Sequence, residues 1–297
     1  MAHPQIGIFA LGTQAHSYLE FDRAEGADAA GPVLAVAALE EPTTTMGGVN
    51  LVVGFRPELW RAFAPDSTPA GLAGFESAVV GPDGYTMPAT QHDVVLWVAG
   101  GSYDIVFDAA IEMINALTPV ATLVTEIEGW AYHRDRDLTG FIDGTENPPV
   151  AEAPEWTLIP DGSPGAGGSV LLLQQWAHDA AAWTSLPVEE QERAMGRTKP
   201  DSLELDPQPE GSHVARTDQD EFGHVFRRNT AYGKVTDHGT VFVGFCAEQR
   251  PLAAMLDAMA GIGGPRDDLT RYSRPLTGAY YFVPSADDLA AAVPSGS

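Results

Sequence analysis

The stretch GFIDGTENPP, residues 140–149, places two acids, Asp143 and Glu146, among two glycines and two prolines. Glycine and proline interrupt helices and central strands, so this composition predicts a loop. A carboxylate in such a loop can transfer protons to a substrate, or it can simply cap the next turn through the backbone. Asp143 is therefore a candidate catalytic group, whereas Glu146 is expected only to help hold the shape of the loop.

Two further stretches of the second half add a histidine, an arginine and an amide. SHVART contains His213, and FRRNTAYG contains Arg227 and Asn229. Side chains two positions apart on a strand point to the same face, so Arg227 and Asn229 can reach one site while Arg228 points away from it. Alternatively, Arg227 has only a structural role and pairs with a surface acid, because the chain has acids in excess.

Several chemistries use an acid, a histidine and an arginine, and the sequence argues against most of them. The G-x-S-x-G elbow of a serine hydrolase is absent, and so are the H-x-x-x-H pair of many zinc enzymes and the glycine-rich phosphate loops. His224 is the nearest rival of His213, and Cys246 could supply a thiolate, although its apolar surroundings predict an inert buried thiol. What remains is a bound cofactor with a histidine on one side and Asp, Arg and Asn on the other, as in a haem peroxidase.

The motifs that carry these residues resemble those of one family. GFIDGTENP, the run WAHDAAAWTSLPVEEQERAMGRTK, SHVARTD and RRNTAYG are similar to the signatures of the dye-decolorizing peroxidases, in their B-type, cytoplasmic branch. The resemblance implies two ferredoxin-like α+β domains with antiparallel sheets and flanking helices, and haem b in the C-terminal half. It also implies a peroxidase that reduces hydrogen peroxide through a ferryl intermediate and oxidises dyes, phenols or metal ions one electron at a time.

The same resemblance assigns the residues on the iron's proximal side. His213 is expected to be the iron ligand, and a partner that accepts a hydrogen bond from its second ring nitrogen makes the ligand more basic. Asp267 is the expected partner, although the adjacent Asp268 would serve the same purpose.

On the distal side the resemblance assigns Asp143, Arg227 and Asn229. Asp143 is expected to shuttle a proton between the two oxygens of peroxide, directly or through water. The Arg227 guanidinium is expected to stabilise the negative charge that develops on peroxide, and Asn229 to orient a water molecule.

Four more residues are expected to bind the cofactor. Gly140 and Gly144 would let the backbone approach the porphyrin without a Cβ clash, and Ile142 between them would contact it. Arg197 is expected to pair with a haem propionate.

Two other function classes stay open beside the peroxidase. The first is a non-enzymatic haem protein that stores or delivers haem or releases its iron. The second is a ferredoxin-like binding or assembly module that does not use haem.

Charge and composition limit the partners. The chain has 297 residues and a net charge of −25 at pH 7, which disfavours nucleic acids and anionic membranes as partners. No apolar stretch approaches the ~18 residues of a membrane-spanning helix, and no export signal is visible. The single cysteine cannot form an internal disulfide. We therefore expect a cytoplasmic protein. The resemblance implies a homo-oligomer, and the chain's end, DLAAAVPSGS, does not resemble a tail that directs relatives into an encapsulin shell.

The elements that must position these residues follow from the apolar pattern. It predicts an α+β fold with domains at residues 1–135 and 136–297, and a loop over 151–167. In the first half we predict strands at 6–12, 33–39, 49–55, 94–100 and 121–130 and a helix at 103–117. In the second half we predict strands at 168–176, 224–233 and 239–248 and helices at 187–197 and 251–261.

Overall fold

The computed structural model describes residues 2–39, 48–133 and 135–293. Within these ranges the strands are β1 Ala15–Arg23, β2 Asn50–Phe55, β3 Val79–Val80, β4 Thr86–Met87, β5 Val94–Gly100, β6 Ala121–Trp130, β7 Ser169–His178, β8 Phe226–Lys234, β9 Asp237–Cys246, β10 Ser273–Pro275 and β11 Ala279–Val283.

The helices of the described residues are mostly short. They are α1 Ala30–Ala37, α2 Pro57–Phe63, α3 Tyr103–Leu117, α4 Ala153–Thr157, α5 Ala180–Ser185, α6 Val188–Met195, α7 His213–Arg216, α8 Gln219–Phe222, α9 Gln249–Met259 and α10 Ala286–Ala292, with 3₁₀ turns at Ile6–Phe9, Pro65–Ser67 and Asp268–Arg271. None of the helices in the described part of the chain combines the length and the apolar content that crossing a membrane requires.

Among the described residues, nine strands form one antiparallel sheet that closes on itself. Their order is β10-β7-β11-β2-β5-β1-β6-β8-β9, and β7 also pairs with β9. The remaining two strands, β3 and β4, form a separate hairpin.

Each half of the chain supplies a similar set of four strands to this sheet. The first half gives the order β2-β5-β1-β6, with α1 after β1 and α3 between β5 and β6, and the second gives β11-β7-β9-β8, with α9 between β9 and β11. This is the strand–helix–strand–strand–helix–strand plan of ferredoxin-like folds. The predicted α+β fold class is therefore confirmed. The division between residues 135 and 136 stays a prediction, because β6–β8 and β11–β2 pairs join the two halves.

Alternating side chains of the strands serve two separate cores. Leu19 and Phe21 of β1 join the core beneath the helices, which lie on the outer face of the sheet. Tyr18 of β1 and Trp97 of β5 belong to a second core, built almost wholly from strand residues, that fills the inside of the closed sheet. A site that must hold a large ligand therefore has to lie on the outer face, between the sheet and its covering helices and loops.

Two predicted strands of the first half are wrong. The chain over 6–12 contains a 3₁₀ turn instead of a strand. Ile8 packs into the core inside the closed sheet, and the carbonyls of Ile8 and Ala10 accept hydrogen bonds from Arg228 rather than from a neighbouring strand. The stretch 33–39 lies largely in helix α1, whose alanine-rich sequence favours a helix despite its β-branched valines.

Most of the other predicted elements are confirmed. The structure has strands at Val94–Gly100 and Ala121–Trp130 and a helix at Tyr103–Leu117, with the predicted bounds. The predicted β8–β9 pair is present, and its register sets Asn229 opposite Phe242. The segment 151–167 is irregular as expected, except for the short helix α4.

Candidate active site

A cavity opens on the outer face of the second half, between the sheet and helices α7 and α9. It contains about 1390 Å³ of space, including its opening to solvent. Its walls are largely apolar, with Leu172, Val225, Phe242, Leu252, Met255 and Leu256 among them. Seven of the predicted site residues also line it, namely Ile142, Asp143, Gly144, Arg197, His213, Arg227 and Asn229. The structure thus brings together residues that are up to 87 positions apart in the sequence.

His213 is the first residue of α7 and forms a close pair with Asp267. Its Nδ1 lies 2.7 Å from Oδ2 of Asp267, whose side chain is fully buried. The other carboxylate oxygen of Asp267 accepts from the backbone N–H of Leu269 at 2.9 Å. The predicted partner of His213 is therefore Asp267, because the neighbouring Asp268 instead pairs with Arg271 at the surface.

The contact with Asp267 fixes which nitrogen of His213 is available. A carboxylate can only accept, so Nδ1 carries the proton and Nε2 keeps a free lone pair. Within the described chain Nε2 takes part in no hydrogen bond. The Ser212 hydroxyl, which accepts from the N–H of Ala215, caps the N-terminus of α7, where His213 is the first residue.

Asp143 is held on the β8 side of the cavity by Asn229. The backbone N–H of Asn229 donates to Oδ2 at 3.0 Å, and its side-chain Nδ2 donates to Oδ1 at 2.8 Å. The Asn229 amide thus directly orients the carboxylate, and its expected contact with a water molecule stays a prediction. Asp143 therefore does more than cap its own loop.

Asn147 ties the same loop to β8, and sequence reasoning missed it. Its Nδ2 donates to the carbonyl of Arg227 at 2.6 Å, and its Oδ1 accepts from the N–H of Arg227 at 2.9 Å. The side-chain amide thus pairs with the strand as another backbone residue would. Because Asn147 and Asn229 both bridge the loop and β8, the positions of Asp143 and Arg227 are coupled.

Arg227 presents an uncompensated cation to the cavity. Among the described residues its guanidinium has no hydrogen-bond or ion-pair partner, and only its backbone is engaged, by Asn147. Burial lowers the pKa of Arg227 from its ordinary value, whereas Asp143 and Glu146 raise it. An arginine nevertheless stays protonated in proteins, so the site holds a fixed positive charge. Arg228 points into the closed sheet and stacks on Trp97 at 4.8 Å, as the strand periodicity predicted.

Arg197, the expected propionate partner, is already bonded to protein groups. Its Nη2 contacts Glu146 and lies 2.6 Å from Glu204, and its Nη1 donates to the carbonyl of Ser202 at 2.8 Å. Its buried Nε has no partner. Glu146 therefore holds the loop to Arg197, as expected, and a propionate contact with Arg197 stays a prediction that only Nε could satisfy without rearrangement.

The two predicted glycines are explained by their backbone conformation. Gly140 and Gly144 have φ of +86° and +72°, where a side chain would be strained. A Cβ on Gly140 would also lie 2.8 Å from Cε of Lys199, so the protein itself crowds this position. Gly144 and Ile142 line the cavity, whereas Gly140 lies outside the lining, beneath Lys199. A direct contact of Gly140 with a cofactor is therefore not what requires this glycine.

A second acid of the cavity, Asp137, was also missed. Its Oδ1 accepts from the N–H of Thr139 at 2.8 Å and from the Thr139 hydroxyl. Burial, followed by the negative charge of Asp143, raises the pKa of Asp137 to about 6. The only sequence signal was its position six residues before Asp143.

The groups present fit a haem. A haem combines a flat apolar ring, an iron atom that takes an imidazole nitrogen and two carboxylates that need donors. The apolar walls match the ring, and the free Nε2 of His213 matches the iron. The buried Nε2 of Gln174 and Nε of Arg197, both without partners, are donors at the edge of the cavity.

Comparisons with known proteins lead to the same conclusion. The family models "Dyp-type peroxidase, N-terminal" and "Dyp-type peroxidase, C-terminal" match residues 13–131 and 134–288. A dye-decolorizing peroxidase of Rhodococcus erythropolis is 36% identical over 255 residues, which are 82% of this chain and 74% of that protein. A more distant relative, a deferrochelatase of Yersinia pestis, is 26% identical over 232 residues, or 64% of this chain and 53% of that protein.

Solved structures agree over almost the whole chain. DyPB of Rhodococcus jostii superimposes with a TM-score of 0.86 at 33% identity over 97% of both chains, and a dye-decolorizing peroxidase of Bacteroides thetaiotaomicron gives 0.89 at 27% identity over 98% of both. A variant of the R. jostii protein, with a TM-score of 0.85 at 32% identity over 94% of this chain and 95% of that one, was solved in complex with haem. The free imidazole nitrogen and the unpaired arginine thus lie in a fold whose relatives carry haem, and this chain belongs to the Dyp-type peroxidase family.

Proposed function

We propose that His213, held by Asp267, binds the haem b iron of this peroxidase, and that Asp143, Arg227 and Asn229 act on hydrogen peroxide. One observation carries the proposal most directly: the same cavity contains an imidazole whose Nε2 is free and a guanidinium without a partner. The first group suits a metal that takes a nitrogen ligand, and the second suits an anion.

On the ligand side, the Asp267 carboxylate increases the electron density of the His213 ring. A carboxylate that accepts the Nδ1 proton gives the imidazole partial imidazolate character, which makes Nε2 a stronger donor to iron. Full burial of Asp267 strengthens this interaction, since water does not compete for the proton. The bound haem supplies the two electrons that reduce peroxide.

On the peroxide side, a proton has to move from one oxygen to the other before the O–O bond can break. Asp143 takes that proton and returns it to the departing oxygen, which leaves as water. Asn229 keeps the carboxylate turned toward β8. Arg227 stabilises the hydroperoxide anion and the charge on the departing oxygen, and it needs no reorganisation because it has no other partner.

The alternative is a haem protein that releases iron, and one observation favours keeping it. The deferrochelatase relative is similar over part of the chain. A protein that only carries haem, however, has no need for a partly buried, unpaired cation beside a carboxylate, since both cost stability. Reaction with peroxide distinguishes the two functions.

We also propose that the protein is a homo-oligomer of the cytoplasm, and that copies meet at α3. Tyr103, Phe107 and Ile111 form an apolar stripe on this helix, each with 46–49% of its surface exposed. An apolar stripe of this kind is typical of an interaction surface. The cytoplasmic location is supported by motifs that are similar to those of the cytoplasmic B-type branch. Sedimentation of a Phe107→Glu variant tests the proposed contact between copies at α3: dissociation of the oligomer supports it, and an unchanged mass contradicts it.

Rapid mixing of the haem-loaded protein with one equivalent of peroxide tests the proposed roles. The haem absorption spectrum is expected to change quickly in the wild type, more slowly in Asp143→Ala and slowest in Arg227→Ala. A fixed positive charge acts on the transition state itself, whereas water can partly replace a proton shuttle. The opposite order would overturn these roles, and no spectral change in the wild type would favour the carrier function.

A further inference from the structure

Asp137 is a partly buried acid that the steps above do not use. It lies on the wall of the cavity, and its Oδ1 is occupied by Thr139. Its Oδ2 forms no hydrogen bond within the described chain, and the side chain retains some exposed surface. Because Asp137 lines the cavity, that free oxygen is available to groups or water inside it.

The backbone places Asp137 beside Asp143. A narrow antiparallel turn joins them, in which Arg136 pairs with Ile142. Two backbone hydrogen bonds flank this pair. The N–H of Asp143 donates to the carbonyl of Asp135 at 2.7 Å, and the N–H of Asp137 donates to the carbonyl of Phe141 at 3.1 Å. In such a ladder Asp137 and Asp143 are diagonal neighbours on one face. The two carboxylates therefore share one side of the turn.

The charges around Asp137 suit a group that both gains and loses a proton. Burial and Asp143 raise the pKa of Asp137 to about 6, while the Thr139 hydrogen bonds and His213 oppose the rise. Toward solvent lies the partly exposed Lys199; burial lowers the pKa of its amine, and the nearby charge of Asp137 opposes that fall. Asp137 is thus close both to Asp143 and to Lys199, which is partly exposed.

The overall reaction calls for a group that can gain a proton from solvent and pass it on. One hydrogen peroxide, two electrons from the donor and two protons give two molecules of water. Cleavage of the O–O bond only moves a proton from one oxygen to the other, so the two additional protons enter when the donor's electrons arrive. A phenol brings a proton with each electron, but a donor that gives electrons alone leaves both protons to come from solvent.

We propose that Asp137 is a proton-relay residue, which carries protons from solvent near Lys199 to Asp143 during the donor steps. This inference rests on the proposed peroxidase function and deepens it. It assigns Asp137 no part in O–O cleavage, for which Asp143 and Arg227 suffice.

Double-mixing kinetics separate the two stages. The haem-loaded protein is mixed first with peroxide and then with ferrocyanide, an electron-only donor, or with a phenol. We expect Asp137→Asn to leave the peroxide stage within about threefold of wild type and to slow the ferrocyanide stage by about tenfold or more, with a smaller effect for the phenol. The wild-type ferrocyanide rate should fall as pH rises through about 6, and the variant should lack this transition.

Two further variants isolate the cause. Asp137→Glu keeps an acid and should restore the transition, whereas the control Glu152→Gln, at an exposed position outside this turn, should behave as wild type. Infrared spectra of the protein provide a readout that needs no turnover: the C=O band of a protonated carboxyl should disappear as pH rises through about 6 in the wild type and be missing in Asp137→Asn.

The outcomes are distinct. An unchanged pH transition of the ferrocyanide stage in Asp137→Asn, or an infrared band that the substitution does not remove, overturns the relay. A wild type that does not react with peroxide at all would refute the proposed function instead, and the infrared titration would still report on Asp137.

Discussion

Asn229 holds Asp143 with two hydrogen bonds, from its backbone N–H to Oδ2 at 3.0 Å and from its side-chain amide to Oδ1 at 2.8 Å. Both bonds are made to a carboxylate and come from one residue of a strand, so the carboxyl group has little freedom to rotate. The amide thus fixes the orientation of the carboxylate to which we assign the proton transfer, while the contact of Asn229 with water stays a prediction.

Replacement of Asn229 by Asp, which has nearly the same shape, tests this role. Its carboxylate cannot donate to Oδ1, and its negative charge beside Asp143 opposes ionisation of the pair. We expect the reaction with peroxide to slow by at least about tenfold, and the pH below which it fails to move upward. If Asn229 only fills space, Asn229→Asp would react as wild type and Asn229→Ala would be the impaired variant.

Asn147 should contribute to both stability and rate, because it bonds to both backbone groups of Arg227. Asn147→Ala leaves those groups unpaired, and we expect the free energy of unfolding to fall by about 1–3 kcal/mol. The peroxide reaction should slow as well, since the loop with Asp143 loses its anchor on β8. Urea unfolding and rapid mixing measure the two effects, with the exposed Glu152→Ala, five residues further on, as the control. A loss of stability at an unchanged rate would show that the anchor does not position the site.

A buried histidine of the closed sheet should make stability depend on pH. Nδ1 of His16 accepts from Nε1–H of Trp97 at 3.1 Å, and burial, together with the Arg228 charge, lowers the pKa of His16 to about 3. The unfolded chain, in which a histidine has its ordinary pKa, therefore binds the proton first. Stability attributable to His16 is intact above about pH 6.5 and is lost progressively as pH falls toward 3.

His16→Asn removes this titration and keeps a side-chain oxygen that can accept from Trp97. Between pH 7 and pH 4.5 the wild type should lose about 2 kcal/mol more of its unfolding free energy than the variant. Equal losses in the two proteins would mean that His16 does not link folding to protons in this range.

The sequence predicted the local parts of the site well and the long-range parts poorly. Strand periodicity correctly separated Arg227 from Arg228, because the alternation of side chains depends only on neighbouring residues. Asn147 gave no signal, since its partner lies 80 residues away. Asp137 was missed because its environment depends on how a turn brings it to Asp143, and sequence spacing alone does not reveal that environment.

The fold shows the same division. Helix α3 and strands β5 and β6 have full-length apolar patterns, and their predicted bounds agree with the structure. The chain over 6–12 is apolar for a different reason: Ile8 belongs to the core inside the closed sheet, which exists only after both halves have joined. An apolar run of that length predicts burial, but the choice between strand and turn depends on contacts such as those of Arg228.

The central claim is that Nε2 of His213 binds the haem iron while Nδ1 is held by Asp267. The resonance Raman spectrum of the ferrous, haem-loaded protein tests it most directly, because the iron–histidine stretch reports this bond. We predict that the band is present in the wild type, moves to lower frequency in Asp267→Asn, whose amide is a weaker acceptor, and disappears in His213→Gly until imidazole is added. An unchanged band in His213→Gly without imidazole would contradict the assignment.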